Sequence, residues 1–139
     1  MTMRLLRSVA VTCVLFWLAL GGGVARGEEQ TLIEKIPPNL DSVIAVMAVR
    51  DALVYRGWTI TKATDDQVVG WLKQGKDEYL FTARPGPGGR VFYSMLDADG
   101  QNASPNGRPG SFVRFIRDDV EIALRTVSLS VFAASRAPR

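Results

Sequence analysis

Apolar residues in the last third of the chain recur every three or four positions, a spacing that is typical of an amphipathic helix. The pattern begins at Phe112, with Ser111 as the predicted N-cap, and charged residues occupy the opposite side. From Val127 onward the apolar residues alternate with serines, so residues 127–132 fit either the end of this helix or a short strand. Residues 133–139 are predicted to form a disordered tail.

An earlier apolar stretch, from about Leu40 to Arg56, predicts a first helix that Asn39 or Asp41 would cap. Its apolar positions are less cleanly separated from its polar ones than those of the later helix. β-branched residues are frequent here, which favours a strand, but the stretch is much longer than a typical strand.

The segment Arg56-Gly57-Trp58 predicts how the first helix ends. A glycine just after a helix favours the left-handed backbone, and the residue that follows it often packs on the last turn. We therefore expect a positive φ at Gly57 and packing of Trp58 on Leu53. Both residues are interpreted as structural rather than functional.

Short segments with alternating polar and apolar residues follow the first helix, separated by turn residues. Connections this short force neighbouring strands to be antiparallel, which predicts a meander. The predicted fold class is α+β, a two-layer sandwich in the order helix, four-stranded antiparallel meander, helix, with both helices on one face. The predicted strands are Trp58 to Ala63, Gln67 to Lys73, Glu78 to Arg84 and Arg90 to Leu96.

The domain organisation follows from these elements. Residues 40–132 form the single α+β domain, and residues 28–39 form an N-terminal arm that leads into it. Pro37-Pro38 in this arm resists helix formation and favours an extended backbone.

Residues 1–27 have the three parts of a secretory signal peptide. Arg4 and Arg7 supply the positive region, Val9 to Leu20 supplies the apolar run, and Ala25 and Gly27 are small residues at a cleavage site. The protein is therefore predicted to be periplasmic or secreted. An uncleaved membrane anchor is the alternative, and this N-terminal segment is the only predicted contact with a membrane.

The signal segment changes the meaning of the net charge, which is +3 for the whole chain. Three of the 17 Lys and Arg residues lie in residues 1–27, which leaves 14 basic residues against 14 acidic ones. A neutral chain without a cluster of basic residues does not favour nucleic-acid binding.

The rest of the chain lacks the residue types that carry most catalysis and metal binding. It has no histidine, and the only cysteine, Cys13, lies in the signal segment. Catalysis by Ser–His–Asp or Cys–His groups and the usual zinc sites are thus excluded. Asp65-Asp66 and Asp118-Asp119 are expected to be solvated carboxylates. Residues 97–100 resemble the start of a calcium loop, but the later ligands of such a loop are missing, so we predict a turn there and no cofactor. Because the residue types of common catalytic groups are missing, we also predict that the protein is not an enzyme.

The order of helix, Arg56-Gly57-Trp58, meander and a helix that opens with Phe112, Phe115 and Ile116 resembles a class of small exported proteins of Gram-negative bacteria. Many members of this class are lipoproteins, and their function is uncharacterised. The resemblance covers roughly Asp41 to Leu124. This chain departs from the lipoprotein members because it lacks the lipidation cysteine, so the resemblance implies export without implying lipid attachment.

Loops and aromatic residues supply the remaining functional candidates. Arg84 and Arg90, next to Tyr79 and Tyr93, fit a polar and aromatic binding rim, with ordinary surface charge as the alternative. We expect a non-enzymatic domain that binds a partner, such as another envelope protein, or has a structural role in the cell envelope. The alternative is a binding module for a small apolar ligand or lipid, which would use the aromatic face of the sheet.

Overall fold

An antiparallel sheet of five strands carries two helices on one face, so the α+β class is confirmed. The computed structural model describes residues 27–138, and the predicted signal peptide therefore lies outside the described residues except for Gly27. The strands lie in the order β1-β5-β4-β3-β2. The elements are β1 Gln30–Ile33, α1 Ser42–Tyr55, β2 Thr59–Thr64, β3 Gln67–Gln74, β4 Asp77–Gly86, β5 Arg90–Asp97 and α2 Arg108–Arg136.

The predicted meander of four strands is correct as β2 to β5, but the N-terminal arm adds a fifth strand. β1 pairs with β5, with Gln30 opposite Tyr93 and Ile33 opposite Val91. Leu32 and Ile33 are buried in the core. This strand was not predicted because it has only four residues, too few to show alternation.

The end of α1 agrees with its prediction. Asp41 is the N-cap and accepts a hydrogen bond from the Val43 amide. At the other end Gly57 has a φ of +87°. The Gly57 amide donates to the Val54 carbonyl and the Trp58 amide donates to the Leu53 carbonyl, which together make a Schellman motif.

Trp58 is thereby directed into the core beside the middle of the sheet. Its ring makes edge contacts with Phe81 and Phe112, at centroid distances of 5.9 and 6.1 Å. Gly70 on β3 leaves room for this packing, because a Cβ at that position would come within 3.1 Å of Leu53 Cδ1 and 3.6 Å of the Trp58 ring. The pairing of β2 with β3 is irregular next to this position, because the β2 register shifts between Ile60, which lies opposite Gly70, and Lys62.

Helix α2 begins earlier and ends later than predicted. Its N-cap is Gly107 rather than Ser111, and Pro109 lies in the first turn, where a missing amide costs no helical hydrogen bond. Residues 127–132 are helical, not a strand, and the helix continues to Arg136 through part of the predicted disordered tail.

The two helices run antiparallel. Asn39, just before α1, exchanges hydrogen bonds with Ser128. Arg56, just after α1, donates to both carboxylate oxygens of Asp119. Arg117 donates to the main-chain carbonyls of Thr31 and Leu32, so α2 also holds the edge strand. α2 thus lies across the sheet between α1 and β1.

Candidate interaction surface

The four residues of the predicted binding rim do not come together. Tyr79 faces the helices, is 8% exposed and packs edge-on against Phe112 at 5.7 Å. Burial is the main cause that raises the pKa of Tyr79. Arg84 lies an odd number of residues along the same strand and therefore points to the opposite face of the sheet. There it binds both carboxylate oxygens of Glu29 and lies over the Phe92 ring.

The other two rim residues are also apart from each other. Arg90 is exposed at the start of β5, next to the tight turn after β4. Tyr93 is half-buried on the helix side, and its hydroxyl donates to Gln30 Oε1 at 2.9 Å. Burial raises the pKa of Tyr93, while the nearby Arg117 acts in the opposite direction. No shared rim results from this arrangement of the four described side chains.

An open cleft of about 380 Å3 lies beside Tyr93, between the start of α2 and the loop after β5. Met95 and Val113 form part of its floor, and Asn102 and Arg117 are polar residues in its wall. Arg117 uses its guanidinium for main-chain carbonyls of β1, and Asn102 accepts from the Glu28 amide. The cleft has the size of a small-ligand site, but these polar groups already have partners.

A second cleft, of about 300 Å3, collects acidic residues around Tyr79. One oxygen of Asp97 accepts hydrogen bonds from the amides of Asp99 and Gln101, as a turn requires. Glu78 faces Lys73 at 3.8 Å. Within residues 27–138, no group of three or more acidic, His or Cys side chains could hold a metal ion. The carboxylates of this cleft therefore act as turn and surface groups.

The most unusual surface lies on the C-terminal half of α2. The stripe that packs on the core includes Val113, Ile116, Val120 and Leu124, all buried. The same three- and four-residue spacing continues with Val127 and Val131, but these are 36% and 41% exposed. The stripe therefore extends past the core without a cover from the described part of the chain.

We call residues 125–136 the distal segment. Leu129 and Phe132 on its other side are 63% and 52% exposed. No charged residue occurs between Arg125 and Arg136, and the Arg136 guanidinium lies 4.6 Å from the centre of the Phe132 ring. A soluble domain usually scatters its exposed apolar residues singly, so a helix end with exposed apolar residues on two sides is a candidate contact surface.

The hydroxyl groups of the distal segment already have partners, Ser128 on Asn39 Oδ1 and the other three on their own helix. Thr126 donates to the Ile122 carbonyl, Ser130 to the Thr126 carbonyl and Ser135 to the Phe132 carbonyl. A hydroxyl that is satisfied in this way loses little when it leaves water, whereas an unpaired hydroxyl would be costly to bury. A partner can thus cover the distal segment with a small desolvation penalty for its hydroxyl groups.

This surface was not predicted, although the sequence contains a signal for it. The apolar residues from Val127 to Val131 alternate because two different faces of one helix are apolar there, and alternation alone also fits a strand. The continuation of the three- and four-residue spacing from Leu124 to Val131 would have favoured a helix.

Within residues 27–138, no helix has the length and apolar character needed to cross a membrane. No protein-family model matches the chain, and a search of curated proteins found no significant match.

Proposed function

We propose that this protein is a small exported, non-enzymatic domain that binds a protein partner in the cell envelope through the distal segment of α2. The observation that carries the proposal is that large apolar side chains are exposed on both sides of that segment, at Val127, Leu129, Val131 and Phe132. Export is supported by the signal-peptide features of residues 1–27.

The geometry of the helix supports this role. The contact between Asn39 and Ser128 marks where the start of α1 meets α2. The eight residues from Leu129 to Arg136 continue beyond it, which corresponds to roughly 12 Å of helix. A helix end that carries large apolar residues past its own domain presents them to another molecule.

A protein partner fits this segment better than a lipid surface. Helices that lie on membranes carry Lys or Arg along their polar face, together with bulky apolar residues on the other face. The polar residues between Arg125 and Arg136 are serines and a threonine, whose hydroxyls bond to the protein itself. Such residues suit a close contact with another protein surface.

Site-specific photo-crosslinking tests the proposal in living cells. A photoreactive amino acid at position 129 is expected to give a protein adduct of defined mass. The same amino acid at position 62, where Lys62 is exposed on β2 at the far edge of the sheet, is the matched control and is expected to give none. Equal labelling at both positions, or no adduct at position 129, would contradict the proposal.

A second candidate function, the binding of a small apolar ligand or lipid, is favoured by the cleft of about 380 Å3 beside Tyr93. The aromatic face of the sheet offers less, because Trp58, Tyr79 and Phe81 are buried under the helices. For this function, a fatty acid should raise the melting temperature of the protein, and Ser104→Trp at the cleft mouth should abolish the effect.

A further inference from the structure

The exposed side of α2 carries a regular row of residues that neither the core nor α1 uses. Steps of four, three, four, three and four residues connect its members, which is the spacing of the contact positions in a coiled coil. Every member is exposed. We call this row the outer seam; it consists of Asp118, Ile122, Arg125, Leu129, Phe132 and Arg136.

The outer seam is complementary to itself when two copies lie antiparallel. In that arrangement Ile122 of one copy faces Phe132 of the other, and the aliphatic stem of Arg125 faces Leu129, so one register pairs all six positions. In the same register the acidic end of the seam meets the basic end, Asp118 against Arg136. A two-fold axis repeats each of these contacts, as an interface between identical chains requires.

The charges around the seam favour the antiparallel orientation. Glu121 lies one turn from Asp118 and falls beside the same partner position, close to Arg136 of the other copy. A parallel pairing would instead place identical charges opposite each other, which is unfavourable. Arg125 lies four residues after Glu121, an arrangement that lets the two pair along one helix, with the long arginine stem covering apolar surface.

We propose that the partner of the distal segment is a second copy of this chain, bound through the outer seam as an antiparallel, two-fold symmetric helix pair. This inference rests on the proposed function, since it names the partner for the side of the distal segment that carries Leu129 and Phe132. The seam lies on the side of α2 opposite its buried stripe, and Arg125 and Leu129 also border a groove formed with residues 33–37. The contact covers Ile122, Leu129 and Phe132, which are each more than half exposed in the single chain.

Sedimentation equilibrium of the purified exported protein tests this pairing. The wild-type protein is expected to show a concentration-dependent equilibrium between monomer and dimer. Asp118→Arg and Arg136→Asp each place like charges together twice in the symmetric dimer, and each is expected to weaken association about tenfold or more. Circular dichroism should show that both variants keep the wild-type fold, because the two positions are exposed.

A mixture of the two variants provides the decisive comparison. In the mixed dimer the arginine introduced at position 118 faces the aspartate introduced at position 136, and the native Asp118 faces the native Arg136. The mixture should therefore associate about as tightly as the wild type, and the double variant Asp118→Arg/Arg136→Asp should also recover. Leu129→Asp is an independent disruption of the seam, with Met47→Asp as its matched control, because Met47 is 46% exposed on α1 and belongs to neither the seam nor the distal segment.

Each remaining outcome overturns the pairing. A wild-type protein that stays monomeric at its highest soluble concentration overturns it, and so does a mixture no tighter than its components. If position 129 still crosslinks to a different protein, the pairing fails while the proposed function stands. Flotation of the monomer with phosphatidylglycerol vesicles, lost in Leu129→Asp, would assign the surface to a membrane and overturn both.

Discussion

At position 57 the backbone conformation decides which residue is tolerated. Gly57 has a φ of +87°, and a Cβ there would meet no atom within 4 Å, so any cost of a side chain comes from the backbone alone. Gly57→Ala is therefore expected to destabilise the fold by about 1 kcal/mol or more. This corresponds to a decrease of about 4 °C in the melting temperature, which thermal circular dichroism can measure.

Gly57→Asn is the matched control for this prediction. Asparagine accepts the left-handed conformation more readily than alanine, so it should recover part of the lost stability. Equal melting temperatures for the wild type and Gly57→Ala would contradict the role of Gly57 in ending α1.

Single residues were predictable where the signal was local. Gly57 and Trp58 follow from the chemistry of a helix end, which a few consecutive residues determine. The four residues of the predicted binding rim do not come together, and the sequence already contained one reason. Tyr79 and Arg84 differ by an odd number of positions on one strand, so their side chains point to opposite faces of the sheet. The position of Tyr93 beside Gln30 depends on β1, which pairs across more than 60 residues of chain.

At the scale of elements, one charged contact connects the end of α1 to the middle of α2. Arg56 binds Asp119 and lies over the rings of Tyr55 and Phe115, at 5.6 and 5.0 Å. The hydrogen bond from Arg56 is the main cause that lowers the pKa of Asp119, and burial opposes it. The contact is partly exposed, so its contribution to stability is modest.

This contact predicts a pH dependence of stability. The pKa of Asp119 is lower in the folded protein than its ordinary value of 3.8, so the folded state resists protonation of this carboxylate more than the unfolded state does. The resulting stabilisation is fully present above pH 3.8 and is lost as the pH falls through the folded pKa.

Asp119→Asn should therefore have a lower melting temperature than the wild type near neutral pH, and the difference should shrink as the pH falls below about 4. Asp65→Asn, in the exposed turn between β2 and β3, is the control and should show little difference at any pH. A difference between wild type and Asp119→Asn that stays constant down to about pH 2, below the usual range of a carboxylate, would show that the carboxylate acts by packing rather than by its charge.

Helix α2 shows why the candidate surface was harder to predict than the fold. The core needs only the part of α2 up to Leu124, and its periodicity is clear there. Beyond it, apolar residues such as Val131 and Phe132 occupy more than one face of the helix, so one-sided periodicity disappears. A helix with apolar residues on more than one side lacks the polar face by which amphipathic helices are recognised in sequence.

For the whole molecule, the edge strand β1 determines where the domain begins. It covers the edge of β5, carries Leu32 and Ile33 into the core and receives hydrogen bonds from Arg117 on α2. None of these contacts is local in sequence, and four residues offer no periodicity. The meander and the helices were predictable because the residues of each segment determine its structure. The position of β1 depends instead on its contacts with β5 and α2.

A truncation that begins at Lys35 is therefore expected to lose cooperative folding. It removes two buried aliphatic side chains, each worth about 1.5–3 kcal/mol, from a domain whose total stability is expected to be about 5–15 kcal/mol. It also exposes the β5 edge, a template for intermolecular pairing. Urea denaturation followed by tryptophan fluorescence should show a broad transition, and size exclusion should show aggregates. A truncation that begins at Gln30 is the control: it keeps β1, loses the Glu29 ion pair with Arg84 and the hydrogen bond from the Glu28 amide to Asn102, and should cost about 1–2 kcal/mol. If the Lys35 truncation unfolded as sharply as the control, β1 would be an appendage and the domain would begin at α1.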